Sequence, residues 1–423
     1  MSGPHILIVN VFFAPNAYGG ATIVAEEVAH ALRRKGCLIT AISLISRAEL
    51  APYAVIKSEV NGLTSYLVNV PEGRSYAARY NNADLAESIG GLIDRLVPDL
   101  VHVHCVQDVG AGVIEVAKAR GLPVVLSVHD FWWLCERQFM ITPDQRYCGQ
   151  APVCLSRCRG CVEDFSAART RDTYLKRQAA LADIVTYPSQ FARDLCEASG
   201  LAPGRGTVWR NGVCLPDSTY FVAQTARRAT DARLAFGYLG GPAQIKGWPD
   251  IHAAFAGLER DDFTMHLVDG ALDGGWWTGI DLTGLPGEWQ IHPRFSQAEM
   301  DTFYAQIDVL LFPSQWKETF GLAIREALAR GIRVIQTDSG GTVEHSRVVA
   351  ADLIPIGAGP APLRAQIATQ LDRGIGPTAP VHVATYDDQA AELLTLIRPL
   401  LGDVSCRPEA TPAARPDSWG SAA

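Results

Sequence analysis

Apolar and polar positions along this chain alternate between two textures: short β-branched runs, and longer stretches with apolar residues three and four apart. The first texture predicts strands at His5–Phe13, Cys37–Ile45, Asp99–Cys105, Pro123–His129, Asp183–Pro188 and Thr207–Arg210. The second predicts helices at Ala21–Arg34, Leu85–Leu96, Val109–Ala119 and Ser189–Ala198. Near-continuous apolar strands separated by helices indicate a parallel sheet covered on both faces. The rhythm stops at Leu215–Asp231, a polar and weakly periodic stretch that reads as a linker. It then resumes, with strands expected at Leu234–Leu239, Phe263–Val268, Trp289–His292, Val309–Phe312, Val334–Thr337 and Leu353–Ile356. The accompanying helices are expected at Trp248–Leu258, Gln297–Gln306, Leu322–Arg330 and Leu363–Leu371. A last helix is expected at Gln389–Leu401, and the segment rich in Pro, Ala, Ser and Gly beyond Arg407 reads as a disordered tail. The fold class is thus α/β, with doubly wound domains over 1–214 and 232–385, a linker at 215–231, a terminal helix at 386–402 and a tail at 403–423. Two such domains enclose a cleft, and ligands in such sheets bind at the carboxyl ends of the strands.

Composition narrows the function classes. With 48% apolar and 19% charged residues over 423 positions, the chain is globular and long enough for two cores. A formal charge of −8 excludes nucleic acid as the main partner, because phosphate backbones need a cationic surface. Arg169, Arg171, Lys176 and Arg177 form a local basic patch, read first as a solvated helix face and second as a peripheral membrane contact. No run approaches the roughly 18 apolar residues of a membrane span. The apolar start lacks a basic n-region and a cleavage site, so a cytoplasmic location is expected, with the inner membrane face as the peripheral variant.

The richest segment for chemistry runs from Phe312 to Gly331. A strand ends at Phe312, a loop carries Glu318, and a helix starts near Gly321. Free amides at such a helix start suit phosphate oxygens. Two carboxylates beside a diphosphate would repel it unless they accept hydrogen bonds from neutral hydroxyls. Glu318 and Glu326 are therefore read as one acid for a hexose and one for a ribose. The blander alternative is a helix cap and a solvated surface residue. Gly19 and Gly20 open the first helix after the first strand, where the backbone can approach a diphosphate or an acceptor. They do not form the Gly-x-Gly-x-x-Gly fingerprint of dehydrogenases.

Phe312-Pro-Ser, Glu318-Thr-Phe-Gly-Leu and Glu326-Ala-Leu-Ala-Arg-Gly together resemble the Glu-x7-Glu signature of the family 4 glycosyltransferases, which have the GT-B fold. The resemblance implies that Glu318 contacts the transferred sugar and Glu326 the ribose. The backbone amides of Phe320, Gly321 and Leu322 would then lie beside sugar and diphosphate. Phe236-Gly-Tyr-Leu-Gly-Gly followed by Lys246-Gly-Trp is similar to the family's strand and Lys-Gly turn, which makes Lys246 the cation for the leaving diphosphate. The family places an Arg directly after the Gly of that strand. Gly241 stands there instead, with Arg210 or Arg294 as candidate replacements. By the same resemblance His129 contacts the donor sugar, and Asn211 belongs to the Asn-Gly-Val turn at the domain junction. Gly340 and Gly341 belong to a phosphate-approaching Gly-Gly-x-x-Glu segment.

The expected activity is retaining, metal-independent transfer of a hexose-type sugar from a UDP- or GDP-sugar to a hydroxyl of a glycan or lipid-linked acceptor, with the final helix returning to the first domain. A catalytically inactive nucleotide-sugar-binding scaffold and a nucleotide-sugar epimerase are the alternatives.

Five cysteines fall within the irregular insertion at 131–165. Cys158-x-x-Cys161 has metal-chelating spacing, and Cys135 with Cys148 or Cys154 completes a thiolate set. No cofactor is expected for catalysis. A structural zinc at Cys135, Cys148, Cys158 and Cys161 is the expectation, against an iron–sulfur cluster or free buried thiols.

Overall fold

The first half of the chain alternates as the texture predicts, in a computed structural model that describes residues 3–16, 19–271, 273–376 and 378–401. Its strands are β1 (His5–Val9), β2 (Leu38–Ile45), β3 (Val55–Val60), β4 (Leu63–Asn69), β5 (Leu100–Val103), β6 (Val124–Ser127), β7 (Ile184–Tyr187) and β8 (Gly206–Val208). Its helices are α1 (Gly20–Arg34), α2 (Ala83–Leu96), α3 (Gly112–Ala119), α4 (Phe165–Leu181) and α5 (Gln190–Ala198). The second half holds α6 (Ser218–Thr230), α7 (Trp248–Ala256), α8 (Met300–Tyr304), α9 (Leu322–Ala329), α10 (Pro360–Arg373) and α11 (Tyr386–Leu401). Its strands are β9 (Leu234–Tyr238), β10 (Phe263–Val268), β11 (Glu288–His292), β12 (Val309–Phe312) and β13 (Arg333–Gln336). The expected tail over 403–423 lies outside the described residues.

The first sheet runs β3-β4-β2-β1-β5-β6-β7-β8 and is parallel except where β3 meets β4. Alternate side chains of β1 serve two cores. Leu7 and Val9 pack with α2, α3 and α4, while Ile6 and Ile8 pack with α1 and α11. That is the double-sided burial that a near-continuous apolar strand requires. The second sheet, β11-β10-β9-β12-β13, is parallel throughout. Phe236 and Leu311 face α7 and α10 on one side, and Leu310 faces α8 and α9 on the other. In the first sheet β1 lies between β2 and β5, and in the second β9 lies between β10 and β12. Each pair of neighbours marks a place where successive connections run to opposite sides and open a crevice at the strands' carboxyl ends.

Four sequence expectations change. The stretch read as a linker folds as α6, because Asp217 caps it by accepting from the amides of Thr219 and Tyr220. Only Tyr220 and Gln224, four apart, are buried on it, so its apolar signal is faint. The hairpin β3–β4 was not foreseen. Its strands read as half polar, but Asn61 and Gly62, with φ of 52° and 74°, form the two-residue turn that joins them. The strand expected at Leu353–Ile356 shrinks to a single bridge between Thr337 and Ile354. The basic patch lies on α4 with Arg169 and Arg177 exposed, but it is thinner than its sequence suggests. Arg171 is buried, Lys176 pairs with Asp172, and Arg177 pairs with Glu115. Among the described residues, no helix is long and apolar enough to cross a membrane.

Candidate active site

A cleft of about 550 Å³ opens where the carboxyl ends of both sheets face each other. Lys246 and Glu318 meet in it. The Lys246 Nζ donates to Glu318 Oε1 at 2.7 Å, and Ser314 Oγ donates to the same oxygen at 2.7 Å. Both bonds fall on Oε1, which leaves Oε2 as the acceptor for a ligand hydroxyl. The ammonium also lies 5.2 Å from the centre of the Trp316 ring, a cation–π contact that fixes the side chain's direction. Glu318 is held from behind by backbone. Its N–H donates to the Ser339 carbonyl, and its carbonyl accepts from Gly341 N–H at 2.9 Å.

Two helix starts converge on the same space. α1 begins after Gly19 and α9 after Gly321, and neither has a side chain capping its first amides. Gly19, Gly20, Phe320, Gly321 and Leu322 all line the cleft. The two termini nearly touch: a Cβ on Gly20 would sit 3.4 Å from Leu322 Cδ1. Uncapped amides and the positive ends of two helix dipoles therefore point into one cavity from opposite domains, an arrangement suited to an anion. Lys246 is the one cation among the described residues that line it.

His129 closes the far wall. Its Nε2 lies 2.8 Å from His104 Nδ1, and its carbonyl accepts from Thr319 Oγ1 of the second domain at 2.6 Å. Burial lowers its pKa to about 4, so the ring is neutral near pH 7 and offers hydrogen bonding rather than charge. Asn211 also lines the cleft, with its Oδ1 3.4 Å from Gln389 Nε2 of α11. Sequence reasoning missed Gln138, Phe139 and Trp316 as wall residues. The only available signal was their place in loops after predicted strands. Asp130, which accepts from Gln138 Nε2 at 2.6 Å and from Trp132 N–H, anchors that wall.

A family model described as Glycosyltransferase Family 4 matches residues 18–215, and one described as Glycosyl transferases group 1 matches residues 241–347. This chain belongs to the family 4 glycosyltransferases. A relative from Klebsiella pneumoniae, an uncharacterized 42.6 kDa protein in the cps region, is 22% identical over 82% of this chain and 88% of its own length. Among solved structures, sucrose-phosphate synthase from Thermosynechococcus elongatus superposes with a TM-score of 0.62 at 15% identity, covering 94% of this chain and 99% of that one. The Anabaena protein HepE in complex with UDP-glucose superposes at 0.58 and 17% identity, covering 94% and 98%. These structural likenesses show the fold, GT-B, which the sequence motifs led us to expect.

Not every expected residue of this glycosyltransferase reaches the cleft. Glu326 is buried beneath it: Tyr304 Oη donates to its Oε2 at 2.6 Å, and burial raises the carboxyl's pKa. Gly340 and Gly341 lie behind the Glu318 loop rather than facing ligand. A Cβ on Gly341 would come within 2.1 Å of the Thr319 carbonyl, so these glycines serve close backbone packing. Glu344 of the same segment caps α5 of the first domain, accepting from Gln190 N–H at 3.0 Å and Phe191 N–H at 2.7 Å. Arg210 and Arg294 are exposed and do not line the cleft. Gly241 itself has φ 67°, and a Cβ there would meet the Trp276 ring at 2.6 Å, which explains the glycine. Cys135, Cys148, Cys158 and Cys161 line a second, smaller cavity, whereas Cys154 is exposed outside it.

Proposed function

We propose that this glycosyltransferase moves a hexose-type sugar from a UDP- or GDP-sugar to a hydroxyl of a glycan or lipid-linked acceptor, with retention at the anomeric carbon and without a catalytic metal. The observation that carries the reading is the meeting of two uncapped helix starts with the Lys246–Glu318 pair in one cleft. The diphosphate lies against the amides of Gly20 and Gly321–Leu322, with Lys246 turned onto its oxygens. As the bond from the anomeric carbon to the phosphate oxygen breaks, negative charge grows where those donors are already fixed. Glu318 Oε2 and the neutral His129 hold sugar hydroxyls, so the anomeric carbon is oriented before reaction. The acceptor hydroxyl attacks on the face the diphosphate is leaving, and its proton passes to the departing phosphate oxygen. No side chain is assigned as base or covalent nucleophile.

Uridine is the favoured donor nucleoside, because the neighbour from Anabaena was solved with UDP-glucose. The Klebsiella relative's place in a cps region agrees with a polysaccharide product. The test is thermal stabilisation of the wild type and Lys246→Ala by UDP, GDP, ADP and their sugars, followed by NMR of the anomeric proton in any product. A selective rise in midpoint with one nucleotide, weakened in the variant, is the expected result. Binding without release of free nucleoside diphosphate to any acceptor would favour the inactive scaffold. Conversion of the donor without acceptor would favour the epimerase.

A further inference from the structure

The 131–165 insertion is long and nearly devoid of regular structure. Its ordered features are a short 3-10 turn at Leu155–Cys158 and a bridge between Ile141 and Tyr147. A loop of this length inside a domain needs an internal constraint. Cys135, Cys148, Cys158 and Cys161 surround one cavity of about 30 Å³, drawn from three separate parts of the loop. None of them is in a disulfide. Gln150 lines the same cavity and lies against Cys158 sulfur, 3.6 Å from its Nε2.

Burial raises the thiols of Cys135, Cys148 and Cys158, and polar groups already reach their sulfurs. The amide of Arg137 donates to Cys135 sulfur, and that of Gln150 donates to Cys148 sulfur. In both cases the donor stands two residues after the cysteine, so two parts of the loop wrap their sulfur in the same way. The Met140 amide adds a second bond to Cys135. Arg137 and the buried Arg171 also line the cavity, as do the carboxylates Glu136 and Asp172. Arg171 binds the Trp132 carbonyl and lies over the Trp132 ring at 4.7 Å. A guanidinium buried this way gains from a nearby anionic cluster.

We propose that Cys135, Cys148, Cys158 and Cys161 bind one structural zinc ion as a tetrahedral tetrathiolate. Among the described residues no three His, Cys, Asp or Glu stand as a group that could hold a metal ion. Binding would therefore draw the four thiols together from the walls of their shared cavity to Zn–S bonds of about 2.3 Å. Cys154, exposed and bonded to Ser156, is not a ligand. The ion fastens the loop that carries Gln138 and Phe139 into the cleft, where Phe139 meets the Trp316 ring edge-on at 4.8 Å.

The test is elemental analysis of untagged protein together with cobalt substitution. One zinc per chain is expected in the wild type and in Cys154→Ser, with loss in Cys158→Ser. Cobalt-loaded wild type should show thiolate-to-metal charge transfer and tetrahedral bands. Because Cys158→Ser could fail to fold, Cys161→His serves beside it: a histidine can still ligate, so it should keep the metal and shift the cobalt spectrum. Folded, metal-free wild type would overturn the proposal. So would a Cys158–Cys161 disulfide in the alkylated, unreduced protein, or a cobalt spectrum without thiolate bands. None of these readouts depends on donor or acceptor, so the site stands or falls separately from the transfer reaction.

Discussion

Glu318 and Lys246 are each other's counter-ion at 2.7 Å, and each is assigned a different part of the donor. Replacing Glu318 by Gln keeps the shape and removes the charge-assisted bond to a sugar hydroxyl, so kcat should fall by about 10²–10³ with a smaller change in KM. Steady-state kinetics with the stabilising donor measure the split. At Gly241 the geometry forbids a simple restoration of the family's Arg. Gly241→Arg should destabilise the fold by about 1–3 kcal/mol through its positive φ and the Trp276 ring, and pairing it with Trp276→Ala should recover part of the loss in a denaturant titration. Some of these placements in the cleft were legible. Glu318 and Lys246 were, because their turns carry specific neighbours. The inward rotation of Glu326 toward Tyr304 was not, because it depends on a helix, α8, that is remote in sequence. The backs of Gly340 and Gly341 were hidden for the same reason: nothing local reveals what packs against them.

At the scale of elements, the apolar strands were plain because a strand buried on both faces has little choice of residue type. Val309–Phe312 was found with both ends correct. Two elements with mostly polar surfaces were missed. Edge strand β3 alternates half-buried and exposed positions, and α6 exposes most of its surface. α1 carries a pH-dependent weakness. Glu26 is partly buried on it, one of its carboxylate oxygens has no hydrogen-bond partner, and its pKa is raised to about 7, chiefly by burial. A carboxyl with a raised pKa in the folded state holds its proton longer than the unfolded chain does. Its contribution to stability is therefore present below about pH 4.5 and lost as pH rises through about 7. Glu26→Gln should leave the melting temperature nearly unchanged at pH 4.5 and raise it above pH 7.

The buried histidines act with the opposite sign. Burial lowers His102 to about 3 and His129 to about 4, so the unfolded chain binds their protons first. The stability they contribute is present above about pH 6.5 and is lost as pH falls toward 4. Melting curves between pH 4 and 8 should therefore fall at the acid end in the wild type and in Glu26→Gln alike.

Across the whole molecule, the two domains are tied by few but specific contacts. Thr319 reaches the His129 carbonyl, Glu344 caps α5, and α11 crosses back to bury Leu393 and Ile397 beside α1. Leu393→Ala should cost about 2–5 kcal/mol, because it hollows a core shared by both ends of the chain. Glu344→Ala should cost about 1 kcal/mol as a lost cap. If the cap also holds the closed arrangement, donor KM should rise while kcat stays within about twofold, a split that separates closure from chemistry.

The ion pair in the cleft also bears on what the enzyme ignores. With nothing bound, Lys246 and Glu318 satisfy each other. On the proposed reading, a nucleoside diphosphate alone would draw the ammonium from Glu318 Oε1 and leave that oxygen to Ser314, while a free hexose would reach Oε2 without meeting the helix amides. Only the intact nucleotide-sugar would meet the ammonium, the amides and Oε2 at once. The cleft would then work as a lock with two wards: nucleotide and monosaccharide each turn one, and the joined molecule turns both.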